Sequence, residues 1–205
     1  MKTVLKSALL AFTVVFASCS NDDNNTTTTG PETAETITVR NLYAPQSGSQ
    51  GENTGGSYTK FSFSENSIVT GDNWDIAFRG TSIIVNGGTA ITVGSTEEPA
   101  RVGQGAATVI AGTFASVTEV PAASTFAQDA ANTPAISGWY TYNIDTHIIT
   151  ANAGKIYVIK THDGKYAKME IQSYYKDAVT NPDLNTEYRY YTFKYAYKAD
   201  DNTTF

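Results

Sequence analysis

The sequence predicts an all-β domain, made mostly of antiparallel sheets with one or two short helices. The first observation is alternation with a period of two among β-branched and aromatic residues, which is typical of strands. The second is that Gly, Asn, Asp or Pro stands in most intervals between these runs, which indicates turns. The last run, YRYYTFKYAYK, places five large side chains on one strand face: Arg189, Tyr191, Phe193, Tyr195 and Tyr197.

The earlier strands follow in chain order. ETITVRNLYA alternates at its start, with Ile37 and Val39 on one side, and SYTKFSFSE alternates polar residues with Phe61 and Phe63. The next two runs, NWDIAFRG and TSIIVNGG, are separated by Gly80. The last pair before YRYYTFKYAYK is KIYVIKT and KYAKMEIQSYY. The one helix candidate is the segment 121–132, PAASTFAQDAAN, with Ser124 as its N-cap and Asp129 inside.

The pair Asp163-Gly164 between two alternating runs predicts a β-hairpin with a two-residue type I′ turn. In that register His162 pairs with Lys165, and Met169 lies opposite Val158. The alternation then divides the second strand into two faces. The predicted core face holds Ala167, Met169 and Ile171, and the predicted solvated face holds Tyr166, Lys168 and Glu170.

The N-terminus predicts a secretory signal peptide over residues 1–18. Lys2 and Lys6 precede a short apolar run, and small residues follow it. The next residue, Cys19, is the only cysteine of the chain. This arrangement resembles a bacterial lipobox, in which the cysteine is lipidated and becomes the mature N-terminus. The alternative is an ordinary signal peptide followed by a chance cysteine.

Residues 19–34 are predicted to form a flexible polar tether, because positions 20–34 carry no large apolar side chain. Asp22 and Asp23 resemble the acidic surface-export signal of Bacteroidetes lipoproteins, although a plain polar linker would look the same. Residues 35–205 are predicted to form a single β-rich domain. The sequence therefore predicts an outer-membrane lipoprotein, exposed at the cell surface and attached to the membrane through Cys19.

Charge and motifs argue against several functions. The formal net charge is -6, a poor match for nucleic acid, whose binding depends on Lys and Arg. The two histidines, His147 and His162, have no zinc-site spacing, and the chain contains no Gly-x-Ser-x-Gly motif. The acidic pair Glu97-Glu98, in a polar turn, is expected to be solvated. We therefore expect a binding protein rather than an enzyme.

Four segments carry a family resemblance: GDNWDIAFRGTSIIVNGG, GWYTYN, KIYVIKTHDGKYAKMEIQSYY and YRYYTFKYAY. Together they resemble the HmuY-like haem-binding lipoprotein family of Bacteroidetes, from about residue 37 to residue 198. The resemblance implies an all-β fold that clamps a non-covalent, b-type haem between loops at one end. It also implies a haem scavenger that passes its cargo to a TonB-dependent receptor of the outer membrane.

The resemblance further implies two axial side chains on the iron, histidines in some members and methionines in others. One ligand is expected in the loop before GTFASVTEVP, but positions 97–111 of this chain contain neither residue. The other is expected after Trp139, where His147 lies in IDTHIITANAG. The candidate axial ligands are therefore His147, which is preferred, then Met169 and His162. A tyrosine or a single-ligand site stays open.

His162 and Met169 are not expected to share one iron, because the predicted hairpin places their Cα atoms roughly 13 Å or more apart. Tyr140 and Tyr142 beside Trp139 suit a flat porphyrin, but strands also favour such residues. The alternative function is a surface lipoprotein of the same fold. It would bind another ligand or a protein partner through the same loops, without haem.

Overall fold

The computed structural model describes residues 34–48 and 52–205, and these residues fall within one compact unit. The predicted signal peptide, the lipidation at Cys19 and all but the last residue of the tether lie outside the described residues. The described residues form eleven strands: β1 Thr36–Tyr43, β2 Thr59–Ser62, β3 Ser67–Val69, β4 Ile76–Arg79, β5 Ser82–Val85, β6 Ala106–Ala111, β7 Tyr140–Tyr142, β8 Ile149–Ala151, β9 Lys155–Lys160, β10 Tyr166–Tyr175 and β11 Tyr188–Lys198.

The strands form three antiparallel sheets, which confirms the predicted fold class. The largest has the order β1-β11-β10-β9-β6, the second has the order β3-β2-β4-β5, and β7 pairs with β8. The described residues include three single 3₁₀ turns: Phe114–Ser116, Ala123–Thr125 and Lys176–Ala178. None of the helices in this described part is long and apolar enough to cross a membrane.

The main core is formed by aromatic side chains of the two larger sheets. The ring of Phe193 on β11 lies 5.5 Å, centroid to centroid, from the rings of both Phe61 on β2 and Phe78 on β4. Tyr191 and Tyr195, the neighbours of Phe193 on the same face, are fully buried, as the alternation of β11 predicts. Burial of such large side chains is the main source of stability in a chain without disulfides.

The segment 121–132 is not a helix, and this prediction is wrong. Only the turn Ala123–Thr125 is helical, with Ala122 rather than Ser124 at its N-cap position. Downstream the chain is extended and lies along the free edge of β6. There Ala127 exchanges two backbone hydrogen bonds with Ala107, of 2.8 and 2.9 Å. An unpaired strand edge offers these bonds, and pairing with it outweighs the weak local helix preference.

The hairpin between β9 and β10 exists, but its turn and register differ from the prediction. Thr161 N–H donates to the Lys165 carbonyl at 2.8 Å, so the loop has three residues. Met169 consequently lies opposite Tyr157, not Val158. The turn has one residue at positive φ, Gly164 at +91°, whereas a type I′ turn requires two.

The predicted core face of β10 is confirmed, while its predicted solvated face is partly wrong. Ala167, Met169 and Ile171 are buried. Lys168, on the opposite face, is also buried, and its Nζ donates to the carbonyls of Phe114 and Val117 at 3.1 and 2.8 Å. The chain covers this side of the sheet with a second apolar cluster, formed by Phe114, Val117, Ile156, Val158, Ala196 and Phe205.

A buried network of charges fixes the loop that precedes β6. Glu98 Oε1 lies 3.0 Å from Arg79 Nη2, and its Oε2 lies 2.7 Å from Arg101 Nη2. Arg101 in turn contacts the buried Asp129 at 3.1 Å. The expectation that Glu98 is solvated is therefore wrong, because its side chain is 6% exposed. Opposite charges make this burial tolerable, and together they connect three separate parts of the chain.

Candidate functional site

A cavity of about 300 Å³ lies beside the turn between β7 and β8. The end of β10, the loop 176–187 and the start of β11 form its other walls. The lining residues are Gln46, Tyr142, His147, Ile148, Ile149, Tyr174, Tyr175, Asp183, Leu184, Thr186, Tyr188 and Arg189. A second, more open hollow of about 440 Å³ shares Ile148, Asp183 and Leu184 with it.

Both loops around the cavity are fixed by local hydrogen bonds from a side chain. Asn143 Oδ1 accepts from the backbone N–H groups of Asp145 and Thr146, at 2.9 and 3.1 Å. In the facing loop, Asp183 Oδ1 accepts from Asn185 N–H at 2.9 Å and from the Thr186 hydroxyl at 2.9 Å. These bonds lower the pKa of Asp183 and keep its carboxylate ionised. Asx turns of this kind preset a loop before any ligand arrives.

Aromatic side chains give the cavity one flat wall. The rings of Tyr174 and Tyr188 lie 6.3 Å apart with 30° between their planes. Tyr174 is buried, and this burial raises its pKa well above the ordinary value of 10.0, although neighbouring Arg189 opposes the shift. Tyr175 accepts a hydrogen bond from Ile149 N–H at 2.9 Å and so joins β8 to the end of β10. The wall is rigid on the β10 side and exposed at Tyr188.

Arg189 is the one positively charged group among the lining residues. Its Nη1 donates to the Gln46 carbonyl at 3.1 Å, and its guanidinium carbon lies 5.2 Å from the centre of the Tyr188 ring. Arg189 also makes a side-chain hydrogen bond with Tyr174, and the remaining donors of its guanidinium group stay available. A ligand with a carboxylate would therefore meet a cation at this wall.

His147 lines the cavity, as the sequence-based preference requires of an iron ligand. Its backbone is left-handed, with φ of +57°, at the end of the turn between β7 and β8. Its Nδ1 lies 2.5 Å from the Tyr142 hydroxyl oxygen. Among the described residues no contact engages Nε2, the nitrogen that remains to bind a ligand.

His162 and Met169 do not line this cavity. Met169 is fully buried in the main core, between Tyr157 and Tyr195 on the neighbouring strands. His162 lies in the hairpin loop before β10, whereas the cavity lies at the other end of that strand. A strand of ten residues separates the two places by roughly 30 Å. The structure thus does not bring the three candidate ligands together.

The segment 97–111, where the family resemblance placed a first ligand, approaches His162 rather than the cavity. Gln104 N–H donates to the His162 carbonyl at 2.8 Å, and β6 begins beside the end of β9. His162 itself is held by Asp75, which places ligand atoms of Asp75, His162 and Asp163 within 4.8 Å of one another. Asp75 also accepts from Phe63 N–H at 2.7 Å. Because its oxygens already serve the backbone, we interpret this cluster as an anchor for the hairpin loop.

The sequence-based interpretation missed the wall formed by the loop 176–187 and the start of β11. It placed Arg189 on a strand face without a role, and it did not consider Leu184 or Asp183. One signal was present: Leu184 is an isolated apolar residue in a polar loop, and the structure leaves it 72% exposed. The facing turn has the same feature in Ile144, which is 69% exposed. Leu184 lines both hollows, whereas Ile144 lines neither of them.

A comparison with protein-family models identifies the family of this chain. The model of the family described as HmuY protein matches residues 56–195. The chain belongs to the HmuY family. This confirms the resemblance drawn from the sequence motifs, over most of the segment that those motifs span.

Two solved structures are similar to this chain. One is a Bacteroides vulgatus protein described as a HmuY-like heme binding protein, at 14% identity and a TM-score of 0.48, covering 82% of this chain and 93% of that one. The other is the apo HmuY analog of Tannerella forsythia, at 17% identity and a TM-score of 0.42, covering 82% of both chains. No curated protein matches the sequence.

Proposed function

We propose that this HmuY-family protein binds haem non-covalently in the cavity beside the β7–β8 turn, with His147 as an axial ligand. The observation that carries the proposal is the position of His147, which lines an aromatic cavity and has Nε2 free of contacts with the described residues. Haem iron takes an imidazole ligand readily, and the protein sets the surroundings. The bound group would supply a redox-active iron at this site.

The other lining residues suit a porphyrin with carboxylate arms. Tyr174 and Tyr188 present an aromatic wall to a flat ring, and Ile148 and Leu184 add apolar surface. Arg189 offers a charge-assisted bond to a propionate. The open hollow next to the cavity extends the space past Leu184, so that a ring could lie between the two loops.

The cavity offers one side chain that binds haem iron strongly, not two. Of the residues lining the cavity, only His147 is a histidine, methionine or cysteine. The other lining side chains of a type that binds ferric iron are tyrosines, of which Tyr142 and Tyr188 are exposed. We therefore expect His147 to be the one strong protein ligand for a haem here, rather than one of a pair of histidines or methionines.

Titration of the purified protein with haemin tests this proposal. We expect a saturable, equimolar shift of the Soret band, which His147→Ala abolishes or moves to shorter wavelength. His162→Ala is the matched control, because it removes the other histidine at a distance from the cavity, and its spectrum should equal that of the wild type. No saturable shift with ferric or ferrous haem would refute the proposal.

The cellular role follows from the predicted N-terminus and from the family. We propose that lipidated Cys19 anchors the protein to the outer membrane at the cell surface. From there it would deliver haem to a TonB-dependent receptor. Metabolic labelling with a radioactive fatty acid tests the anchor. Label should enter the wild type and not Cys19→Ala, and protease added to intact cells should remove the protein if it is on the surface.

A second candidate function is capture of another flat or apolar ligand, or of a protein partner, through the same loops. The exposed Ile144 and Leu184 favour it, because neither needs iron to bind. Metal-free protoporphyrin IX separates the two candidates. Iron-dependent binding supports haem as the ligand, whereas equal affinity for both porphyrins, unchanged in His147→Ala, supports recognition by the aromatic wall alone.

A further inference from the structure

Tyr142 and His147 form a pair across the turn between β7 and β8. The Tyr142 hydroxyl oxygen lies 2.5 Å from His147 Nδ1, and the two ring centres are 5.9 Å apart. The turn that joins them is held by Asn143, whose backbone N–H donates to the Ile148 carbonyl at 2.9 Å. The contact is therefore part of a preset turn and does not depend on a distant element.

This contact is compatible with both tautomers of a neutral imidazole, which carry the ring proton on Nδ1 or on Nε2. If Tyr142 accepts, the proton is on Nδ1 and Nε2 carries a lone pair. If Tyr142 donates, the proton is on Nε2 and that nitrogen cannot bind a metal. Ligating histidines nearly always donate their second ring N–H to a partner, which fixes the tautomer and the ring orientation.

We propose that Tyr142 is a positioning residue that accepts the Nδ1 proton of His147 and so prepares Nε2 to bind iron. The inference rests on the proposed function, and it adds a residue that does not contact the iron itself. Among the described residues no other group contacts Nδ1, so the hydroxyl is the one partner there that can accept its proton.

The protein without haem gives the first test. Long-range ¹H–¹⁵N NMR distinguishes the two neutral tautomers of an imidazole from the chemical shifts of its nitrogens. We expect the Nδ1–H form for His147 in the wild type at a pH where the ring is neutral. Tyr142→Phe should shift the population towards Nε2–H. A wild-type ring that carries its proton on Nε2 would overturn the proposal, whatever the protein binds.

Haem binding gives the second test. Loss of an outer partner of a metal-bound histidine weakens binding by about 10-fold or more. We expect this loss of haemin affinity in Tyr142→Phe, together with a more positive reduction potential, because the imidazole becomes a poorer donor. Tyr140→Phe is the matched control, since it removes a hydroxyl from the same strand at a residue that does not line the cavity.

The outcomes separate this inference from the proposed function. If His147→Ala abolishes binding while Tyr142→Phe has the wild-type affinity and potential, the positioning role is refuted and the haem site stands. If wild-type protein does not bind haem, the proposed function fails, and the tautomer of His147 still decides whether Tyr142 accepts its proton. A structural role alone would lower the stability of Tyr142→Phe without changing the tautomer.

Discussion

Asp75 holds His162 by two contacts to a single carboxylate oxygen. Its Oδ1 accepts the His162 backbone N–H at 3.0 Å and lies 2.8 Å from the ring nitrogen Nδ1. The other oxygen accepts Phe63 N–H at 2.7 Å. The buried carboxylate therefore joins the second sheet to the loop between β9 and β10, and this explains why His162 sits in that loop.

Asp75→Asn should lower the free energy of unfolding by about 2 to 3 kcal/mol, because an amide has one acceptor oxygen where the carboxylate has two. Denaturant unfolding measures the loss. Asp72→Asn is the control, since its exposed side chain makes only a 3.9 Å contact with Lys60 and should change stability little. Equal stability of the two variants would show that the Asp75 contacts do not hold the loop.

Glu98→Gln should destabilise the fold by about 3 kcal/mol, because it leaves the guanidinium groups of Arg79 and Arg101 buried without their shared carboxylate. Thermal unfolding followed by circular dichroism measures this effect. Glu119→Gln, at an exposed position, should have the melting temperature of the wild type. A wild-type melting temperature for Glu98→Gln would mean that water screens the network.

Gly164→Ala should cost about 1 kcal/mol, because residue 164 has φ of +91° and an L side chain is strained there. A Cβ at this position would meet no atom closer than 3.6 Å, so the cost comes from the backbone and not from a clash. Gly71→Ala is the control, with open space and no positive φ. If both variants have the same unfolding free energy, the loop conformation is not the one described.

Stability should fall as the pH rises above 10. Burial raises the pKa of Tyr157 and Tyr195 from 10.0 to about 12, and it raises that of Tyr191 further. Between pH 10 and 12 the unfolded chain releases phenolic protons that the folded chain keeps, so unfolding becomes favourable. Lys168 has the opposite effect, because burial lowers its pKa below the ordinary value of 10.5. Just below pH 10.5 the unfolded chain keeps this proton more readily than the folded chain, so this lysine makes stability rise with pH.

Ultraviolet absorbance of tyrosinate, recorded together with circular dichroism, checks this pH dependence. We expect the buried tyrosines Tyr157, Tyr191 and Tyr195 to titrate together with the loss of the β-sheet spectrum. Titration of every tyrosine near pH 10 in a protein that keeps its β-sheet spectrum would contradict the described burial.

The fold was largely predictable from local patterns, because alternation depends on neighbours along the chain. The inward residues of β11 and β10, such as Phe193 and Met169, follow directly from it. The segment 121–132 was not predictable in this way, since its structure is decided by the edge of β6. The prediction that Lys168 is solvated was wrong for a similar reason, because the apolar cluster that covers it comes from distant parts of the chain.

One of the residues that line the cavity, His147, was named from the sequence through the family resemblance and its loop position, and its role as a ligand stays a prediction. Its neighbours Leu184 and Arg189 were not named from the sequence. They reach the cavity from the loop 176–187 and the start of β11, some forty residues further along the chain. The burial of Glu98 was also not predictable from the sequence. A charged residue in a polar turn looks solvated until its partners, Arg79 and Arg101, are placed around it.

A crystal of the protein grown with haemin, with the iron located by anomalous scattering, tests the central claim most directly. The account predicts iron in the cavity between the turn of β7 and β8 and the loop 176–187, bonded to His147 Nε2, with the porphyrin against Tyr174 and Tyr188. Iron bound at His162, or a haem that leaves His147 without an iron bond, would contradict it.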